Sequence, residues 1–210
     1  MEQLSSLMKN YFQHKKAEIM GINNFARFAI FVPIIEQNGE YHFVFQVRSK
    51  FIKQPGEISF PGGKVDETDL STKDAAIREL QEELGVDMDQ IELLGELDYM
   101  ITPFHFALYP FIGTLASQTK FHLNPDEVED IFFAPVSQMM KMTPKEHPIH
   151  LQVSPSEDFP YHLIPNGENY NWRTTVMNEK FYEYEGHVIW GLTATILSHA
   201  LEELRKASKG

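Results

Sequence analysis

Apolar residues recur at helical spacing near both ends of the 210-residue chain. The first stripe predicts an N-terminal helix over 3–18, and the second predicts a C-terminal helix over 188–207. The apolar positions are Leu4, Leu7, Met8, Tyr11 and Phe12 in the first helix, and Ile196, Leu197, Ala200 and Leu204 in the second. No linker, repeat or low-complexity segment separates them, so we assign 1–22 to the N-terminal helix and 23–210 to one domain.

Between these helices, runs of β-branched and aromatic residues predict a sheet. The runs at 25–35 and 41–47 are joined by Asn38-Gly39, which is a strong hairpin signal. Further strands are predicted at 91–98, 108–115, 127–133 and 181–184, and a short helix at 137–142.

A third helix is predicted over 74–84, which contains no proline or glycine and is followed by Gly85. Ser71, Thr72 or Asp74 is expected to cap its start, and Asp69 is interpreted as a capping or loop residue. Its apolar stripe is formed by Ile77, Leu80 and Leu84.

Three carboxylates lie nearly opposite that stripe. Glu79, Glu82 and Glu83 fall within about 100° of one another on the helix, and neighbouring Ala75 is too small to shield them from solvent. Arg78 flanks the group, four residues before Glu82, where an ion pair can form. Such a cluster repels itself unless cations neutralise it, and oxygen ligands suit Mg²⁺ or Mn²⁺ better than zinc. The alternative is a solvated acidic face, but the length of the pattern from Arg78 to Val86 favours a metal site.

The segment upstream of this helix adds candidate phosphate ligands. Gly62 and Gly63 permit a tight turn whose carbonyl groups can reach a metal ion and whose amides can face phosphate. Before the turn, Arg48, Lys50 and Lys53 form a basic patch, and arginine favours bidentate contact with phosphate.

The run from Arg78 to Val86 resembles the Nudix hydrolase signature, G-x5-E-x7-R-E-U-x-E-E-x-G-U, in which U is aliphatic. The left half departs from it, because the family's glycine and glutamate positions hold Lys64 and Leu70. One inserted residue restores the match, since Gly63 is then followed by five residues and Asp69.

That shifted form resembles the coenzyme A diphosphatase branch of the family. Two further features carry this resemblance: Arg48-Ser49 ahead of the run G-E-I-S-F-P-G-G at 56–63, and the string I-W-G-L-T at 189–193. The resemblance implies a Nudix α/β/α sandwich with a mixed β-sheet. It also implies hydrolysis of coenzyme A or acyl-coenzyme A to 3′,5′-ADP and (acyl-)4′-phosphopantetheine. A Nudix enzyme for ADP-ribose or a nucleoside triphosphate, and a non-catalytic nucleotide sensor, remain open alternatives.

The resemblance also implies the roles of individual residues. Glu79, Glu82 and Glu83, with Arg78, are expected to be catalytic, with the general base open among the glutamates or outside them. The expected ligands of Mg²⁺ or Mn²⁺ are Glu79, Glu82, Glu83, the carbonyl of Gly63 and Glu127. The expected substrate ligands are Arg48, Gly62, Gly63 and Lys64, with Lys50, Lys53, Phe104 and Phe106 as candidates for the 3′-phosphate and the pantetheine arm.

The resemblance implies a small-molecule diphosphate as the partner, and composition excludes several other classes. The net charge of −12 argues against a nucleic-acid binder, and the chain has no cysteine for disulfides or thiolate chemistry. Without a signal peptide or an apolar run of membrane length, we expect a cytoplasmic protein that does not enter a membrane. The pattern carries no signal for an oligomeric state. His147, His150 and His162 lack metal-ligand spacing and are interpreted as surface or loop residues, and Trp190 as a core residue.

Overall fold

The computed structural model describes residues 2–209, with side-chain environments from residue 5 onward. Eight strands form a mixed sheet in which β1 pairs in parallel with β7 and antiparallel with β2 and β4. The strands are β1 (Ala26–Gln37), β2 (Glu40–Arg48), β3 (Ile58–Ser59), β4 (Gly62–Lys64), β5 (Ile91–Glu96), β6 (Met100–Ile101), β7 (Phe106–Leu115) and β8 (Val128–Pro135). The predicted hairpin is confirmed between β1 and β2, where Asn38 and Gly39 both have positive φ, at 53° and 81°.

Two helices cover the two faces of this sheet. Side chains alternate along β1, so Ala29 and Phe31 pack under α2 (Thr72–Leu84), whereas Val32 and Ile34 pack under α4 (Gly191–Ala207). The predicted α/β/α sandwich is therefore confirmed.

Helix α2 has the ends that its sequence predicts. Of the three candidate caps, the Ser71 hydroxyl accepts a hydrogen bond from the Asp74 amide at 3.2 Å. Gly85 ends the helix with φ of 64°, and a side chain there would collide with the His122 carbonyl group.

A second, three-stranded sheet was only partly predicted. It consists of β9 (Lys145–Leu151), β10 (Thr175–Tyr184) and β11 (His187–Trp190), in the order β11-β10-β9. The predicted strand at 181–184 is confirmed as the end of β10. The exposed residues His147 and His150 lie in β9, and His162 lies in a short 3₁₀ turn.

The prediction of helix for 188–190 is wrong, because these residues belong to β11. Glu185 and Gly186, with φ of 47° and 87°, make a tight turn that pairs β11 with β10 before the helix begins at Gly191. The interpretation of Trp190 as a core residue is wrong for the same reason. Its side chain is 38% exposed and stacks on Phe181 across the hairpin, with ring centroids 5.8 Å apart.

The remaining helices differ from their predictions at their ends. The N-terminal helix α1 is Glu2–His14 and ends four residues earlier than predicted, while α3 is Val136–Met139. Among the described residues, none of the helices has the combination of length and apolar character that crossing a bilayer requires.

Candidate active site

Gly62 and Gly63, which we call the glycine turn, pack their backbone directly against helix α2. Gly63 pairs with Ala29 of β1 on the α2 side of the sheet, and a Cβ at Gly63 would overlap the Glu79 carboxylate. The adjacent Gly62 amide donates to Glu83 Oε2 at 2.9 Å. The two glycines therefore allow two carboxylates of the helix to lie directly against the turn.

Glu83 is buried, with 4% of its surface exposed. Burial raises the pKa of its carboxyl to about 7, although the hydrogen bond from Gly62 and the nearby Gln46 amide oppose the shift. The prediction that three carboxylates share an exposed wedge is therefore wrong for Glu83, and Ala75, about two turns earlier on the same helix, is also fully buried. The reason is that this side of α2 faces the glycine turn and the sheet rather than water.

Glu79 is largely buried, with 15% of its side chain exposed. Burial raises the pKa of the Glu79 carboxyl, and the charges of Glu82 and Glu127 raise it further, while Arg78 lowers it. Glu82 remains exposed and adjoins the site through Arg78, whose guanidinium group contacts it at 2.8 Å. The predicted pairing of Arg78 with Glu82 is confirmed.

Arg78 is the centre of an ion-pair network. Its guanidinium group donates to both carboxylate oxygens of Asp69, at 2.9 and 3.0 Å, and to Glu79 Oε1 at 2.8 Å. It also donates to the Lys64 carbonyl oxygen at 3.2 Å. The hydrogen bond with Asp69 is the largest cause that raises the pKa of Arg78, and those with Glu79 and Glu82 add to it. Arg78 in turn lowers the pKa of Asp69. Arg78 therefore orients the neighbouring carboxylates. Asp69 holds Arg78 in place and does not cap helix α2.

Glu127 joins the cluster from a different part of the chain. Its carbonyl oxygen accepts from the Ser49 amide at 2.9 Å, and its side chain accepts from Asn124 at 3.2 Å. The Glu127 charge raises the pKa of both Glu79 and Glu83, so the three carboxylates lie within electrostatic range of one another, although their oxygens do not all approach within 4.8 Å in the described residues. A divalent cation would relieve that repulsion, and a set of carboxylate oxygens fits Mg²⁺ or Mn²⁺.

Arg48 lies at the end of β2, next to Ser49. Its Nε donates to the Lys53 carbonyl oxygen at 3.0 Å, and it forms no ion pair in the part of the chain that the structure describes. Backbone hydrogen bonds from Gly56 to Arg48 and from Arg48 to Glu57 close the intervening loop. The Arg48 charge is thus left available for a ligand.

The other substrate-binding candidates lie on different surfaces. Lys50 is exposed and lies over the Phe51 ring at 5.1 Å. Lys64 pairs with Phe28 of β1, and therefore emerges on the side of the sheet opposite α2. Phe106 packs on Phe28 at 5.2 Å, so Lys64 and the half-exposed Phe106 flank the same aromatic ring.

Three polar residues of the site were missed from the sequence: Gln46, Ser59 and Asn124. Gln46 alone gave a signal, because it is a polar residue inside the otherwise apolar run F-V-F-Q-V at 43–47. It is fully buried, and its Nε2 donates to Ser59 Oγ at 3.2 Å.

Comparison with known proteins places this arrangement in a family. The family model for the NUDIX domain matches residues 26–156, which is more than half of the chain. The uncharacterized Nudix hydrolase NudL of Pectobacterium atrosepticum is 29% identical over 169 residues, covering 80% of this chain and 78% of that protein. The peroxisomal coenzyme A diphosphatase NUDT7 of Mus musculus is 34% identical over 115 residues, covering 54% of this chain and 49% of that protein.

Solved structures show the same fold. The MutT/nudix family protein from Enterococcus faecalis matches 97% of this chain and 70% of its own, with a TM-score of 0.52 at 14% sequence identity. The matched region contains the glycine turn, α2 and Glu127, which together form the carboxylate cluster. The chain therefore belongs to the Nudix family, and it is a Nudix hydrolase.

Proposed function

We propose that this hydrolase cleaves the diphosphate of coenzyme A or acyl-coenzyme A to 3′,5′-ADP and (acyl-)4′-phosphopantetheine, using Mg²⁺ or Mn²⁺. The observation that carries the proposal is the segment from Arg48 to Gly63, which begins with the loop of the β2–β3 hairpin and ends in the two glycines. Within it, β2 pairs with β3, and the loop between them closes by backbone hydrogen bonds on Arg48. In this segment, which resembles the coenzyme A diphosphatase signature, Arg48 has no ion-pair partner among the described residues. It precedes the two glycines that lie against Glu79 and Glu83.

The metal site of the proposal is built from hard oxygen ligands. Glu79, Glu83 and Glu127, with the Gly63 carbonyl group, would hold the ion, and Glu82 adjoins them on the solvent side. When bound, a divalent ion supplies a Lewis acid that neutralises phosphate charge and lowers the pKa of a water ligand.

The residues of the chain itself supply orientation. Arg78 holds Glu79 and Glu82 in fixed rotamers, and Asp69 holds Arg78 through two hydrogen bonds. The Gly62 amide fixes Glu83. The guanidinium group of Arg48 would bind the diphosphate and stabilise the charge that develops on the leaving phosphate.

Selectivity for coenzyme A would come from groups on the opposite side of the sheet from α2 and in the loop that begins at Arg48. Phe106 and Phe28 offer an apolar surface for the pantetheine arm, and the exposed Phe104 lies two residues before Phe106. Lys50 and Lys53 lie in the loop that begins at Arg48, and Lys64 follows the glycines. These lysines are the candidates for contact with the 3′-phosphate, which ADP-ribose lacks.

Product analysis tests the proposed reaction. Coenzyme A incubated with the enzyme and Mg²⁺ should yield 3′,5′-ADP and 4′-phosphopantetheine in equal amounts, identified by mass spectrometry. Glu83→Gln serves as the control for contaminating activity and should form neither product at a comparable rate. Intact coenzyme A after prolonged incubation, together with hydrolysis of ADP-ribose or a nucleoside triphosphate, would contradict the proposal and leave a Nudix hydrolase of other specificity.

A further inference from the structure

Gln46 is a polar side chain buried in the middle of the apolar strand β2. Its exposed fraction is 0%, and Val44, two residues earlier, packs in the apolar cluster beneath α2. Because side chains alternate along a strand, Gln46 points toward the same helix. Burying an amide lowers stability unless it is fully hydrogen-bonded, so its place there indicates a role beyond packing.

Within residues 2–209, only the donor group of the Gln46 amide has a hydrogen-bond partner. Its nitrogen Nε2 donates to Ser59 Oγ at 3.2 Å, the one hydrogen bond of this side chain among the described residues. The amide also lies close enough to the Glu83 carboxylate to lower the pKa of Glu83. Its oxygen Oε1 is buried and has no hydrogen-bond partner among the residues that the structure describes. The hydrogen bond to Ser59 therefore holds the Gln46 donor group on the side of Glu83, while its acceptor remains unpaired at a cost in stability.

We propose that Gln46 is a positioning residue for Glu83. Its amide, together with the Gly62 amide, holds the Glu83 carboxylate in the orientation in which it binds a divalent ion. This inference rests on the metal-binding role of Glu83 in the proposed function. Groups that orient a metal ligand commonly change metal affinity by 10–100-fold when they are removed.

Direct titration of the 210-residue chain with Mn²⁺, followed by electron paramagnetic resonance without substrate, tests this role. Gln46→Met keeps a similar side-chain volume and removes the amide, and it should raise the Kd for Mn²⁺ at least tenfold. In metal-free buffer its melting temperature should be unchanged or higher, because the unpaired Oε1 is removed as well. A purely structural role for Gln46 would produce the opposite pattern, a lower melting temperature with unchanged Mn²⁺ affinity.

Thr119 provides a matched control. Its Oγ1 is also buried without a hydrogen-bond partner in the described chain, but Thr119 lies in the turn that follows β7. Thr119→Val should leave the Kd for Mn²⁺ unchanged, with an equal or higher melting temperature. If Thr119→Val weakened Mn²⁺ binding as much as Gln46→Met, the effect would not belong to Gln46 and the proposal would be overturned.

Gln46→Asn decides the question if Gln46→Met does not fold. It keeps a buried amide but withdraws it from Glu83 by one methylene, so we expect a similar tenfold rise in the Kd. Unchanged Mn²⁺ affinity in the folded variants would overturn the positioning role. Glu83→Gln in the same titration separates the two proposals: if it binds Mn²⁺ as the wild type does, the proposed metal site itself fails.

Discussion

Gly63 lies so close to the carboxylate of Glu79 that a Cβ on the glycine would overlap both carboxylate oxygens. Glu79 is fixed in turn by Arg78, which donates to its Oε1 at 2.8 Å. The turn and the helix therefore define each other's geometry, since neither the glycine backbone nor the carboxylate can shift alone.

Gly63→Ala should therefore damage activity more than folding. The methyl group displaces the end of the Glu79 side chain, and a misplacement of about 1 Å at a reactive site can lower kcat/KM by roughly a hundredfold. Initial rates report the site, and the melting temperature reports the fold. Gly95→Ala is the control, because a Cβ there meets no atom within 4 Å. If Gly63→Ala unfolds the protein, the glycine is mainly a structural turn residue.

Glu79→Gln tests the acidic cluster. The amide cannot replace a charged ligand, so turnover at saturating Mg²⁺ should fall by orders of magnitude. In metal-free buffer the melting temperature should stay the same or rise, because the charges of Glu82 and Glu127 no longer repel residue 79. Near-normal turnover in this variant would show that Glu79 is not a metal ligand.

Glu83 should make metal-free stability depend on pH. Its ordinary pKa of 4.5 applies to the unfolded chain, whereas burial raises the folded value to about 7. Between these values the folded state binds more protons, so the free energy of unfolding falls as pH rises, by about 3 kcal/mol in total. Denaturant titrations of wild type and Glu83→Gln across this pH range measure the effect. In Glu83→Gln this fall in the free energy of unfolding with rising pH should be absent. Identical pH profiles for the two proteins would contradict the buried, protonated state of Glu83.

Asp69→Asn tests the anchor of Arg78. The neutral amide offers only one acceptor oxygen in place of two, so Arg78 and Glu79 gain freedom, and kcat/KM should fall about 10–100-fold. Asp66→Asn is the matched control, because Asp66 is 61% exposed and approaches Arg78 only at 3.9 Å. We expect that variant to stay within about twofold of the wild type, since exposed ion pairs contribute little. Equal losses of kcat/KM in both variants would show that the negative charge near Arg78 matters more than the specific contact with Asp69.

The sequence predicted those parts of the molecule that short-range rules govern. The hairpin at Asn38-Gly39 and the two ends of α2 follow from turn and capping chemistry, which depends on residues a few positions apart. Helical periodicity gave the angle between Glu79 and Glu83, but it could not give the burial of Glu83. That burial depends on which other segment approaches the helix.

The same limit explains the elements that were missed. The strand β4 is the tripeptide Gly62–Lys64, which has no alternation of apolar and polar residues to detect. Only its pairing with β1 directs Gly63 toward α2 and Lys64 toward the opposite side. The role of Gln46 likewise depends on the long-range packing of β2 under α2, and the strand β11 depends on pairing with β10.

The specificity ratio for coenzyme A tests the proposed substrate most directly. With Mg²⁺, kcat/KM should be measured for coenzyme A, dephospho-coenzyme A and ADP-ribose on the same preparation. Each charge-assisted contact to the 3′-phosphate is worth roughly 1.5–3 kcal/mol, or about ten- to a hundredfold in kcat/KM. We expect coenzyme A to exceed both other substrates by at least tenfold. Equal values for the three substrates, or a higher value for ADP-ribose, would contradict the assignment of coenzyme A.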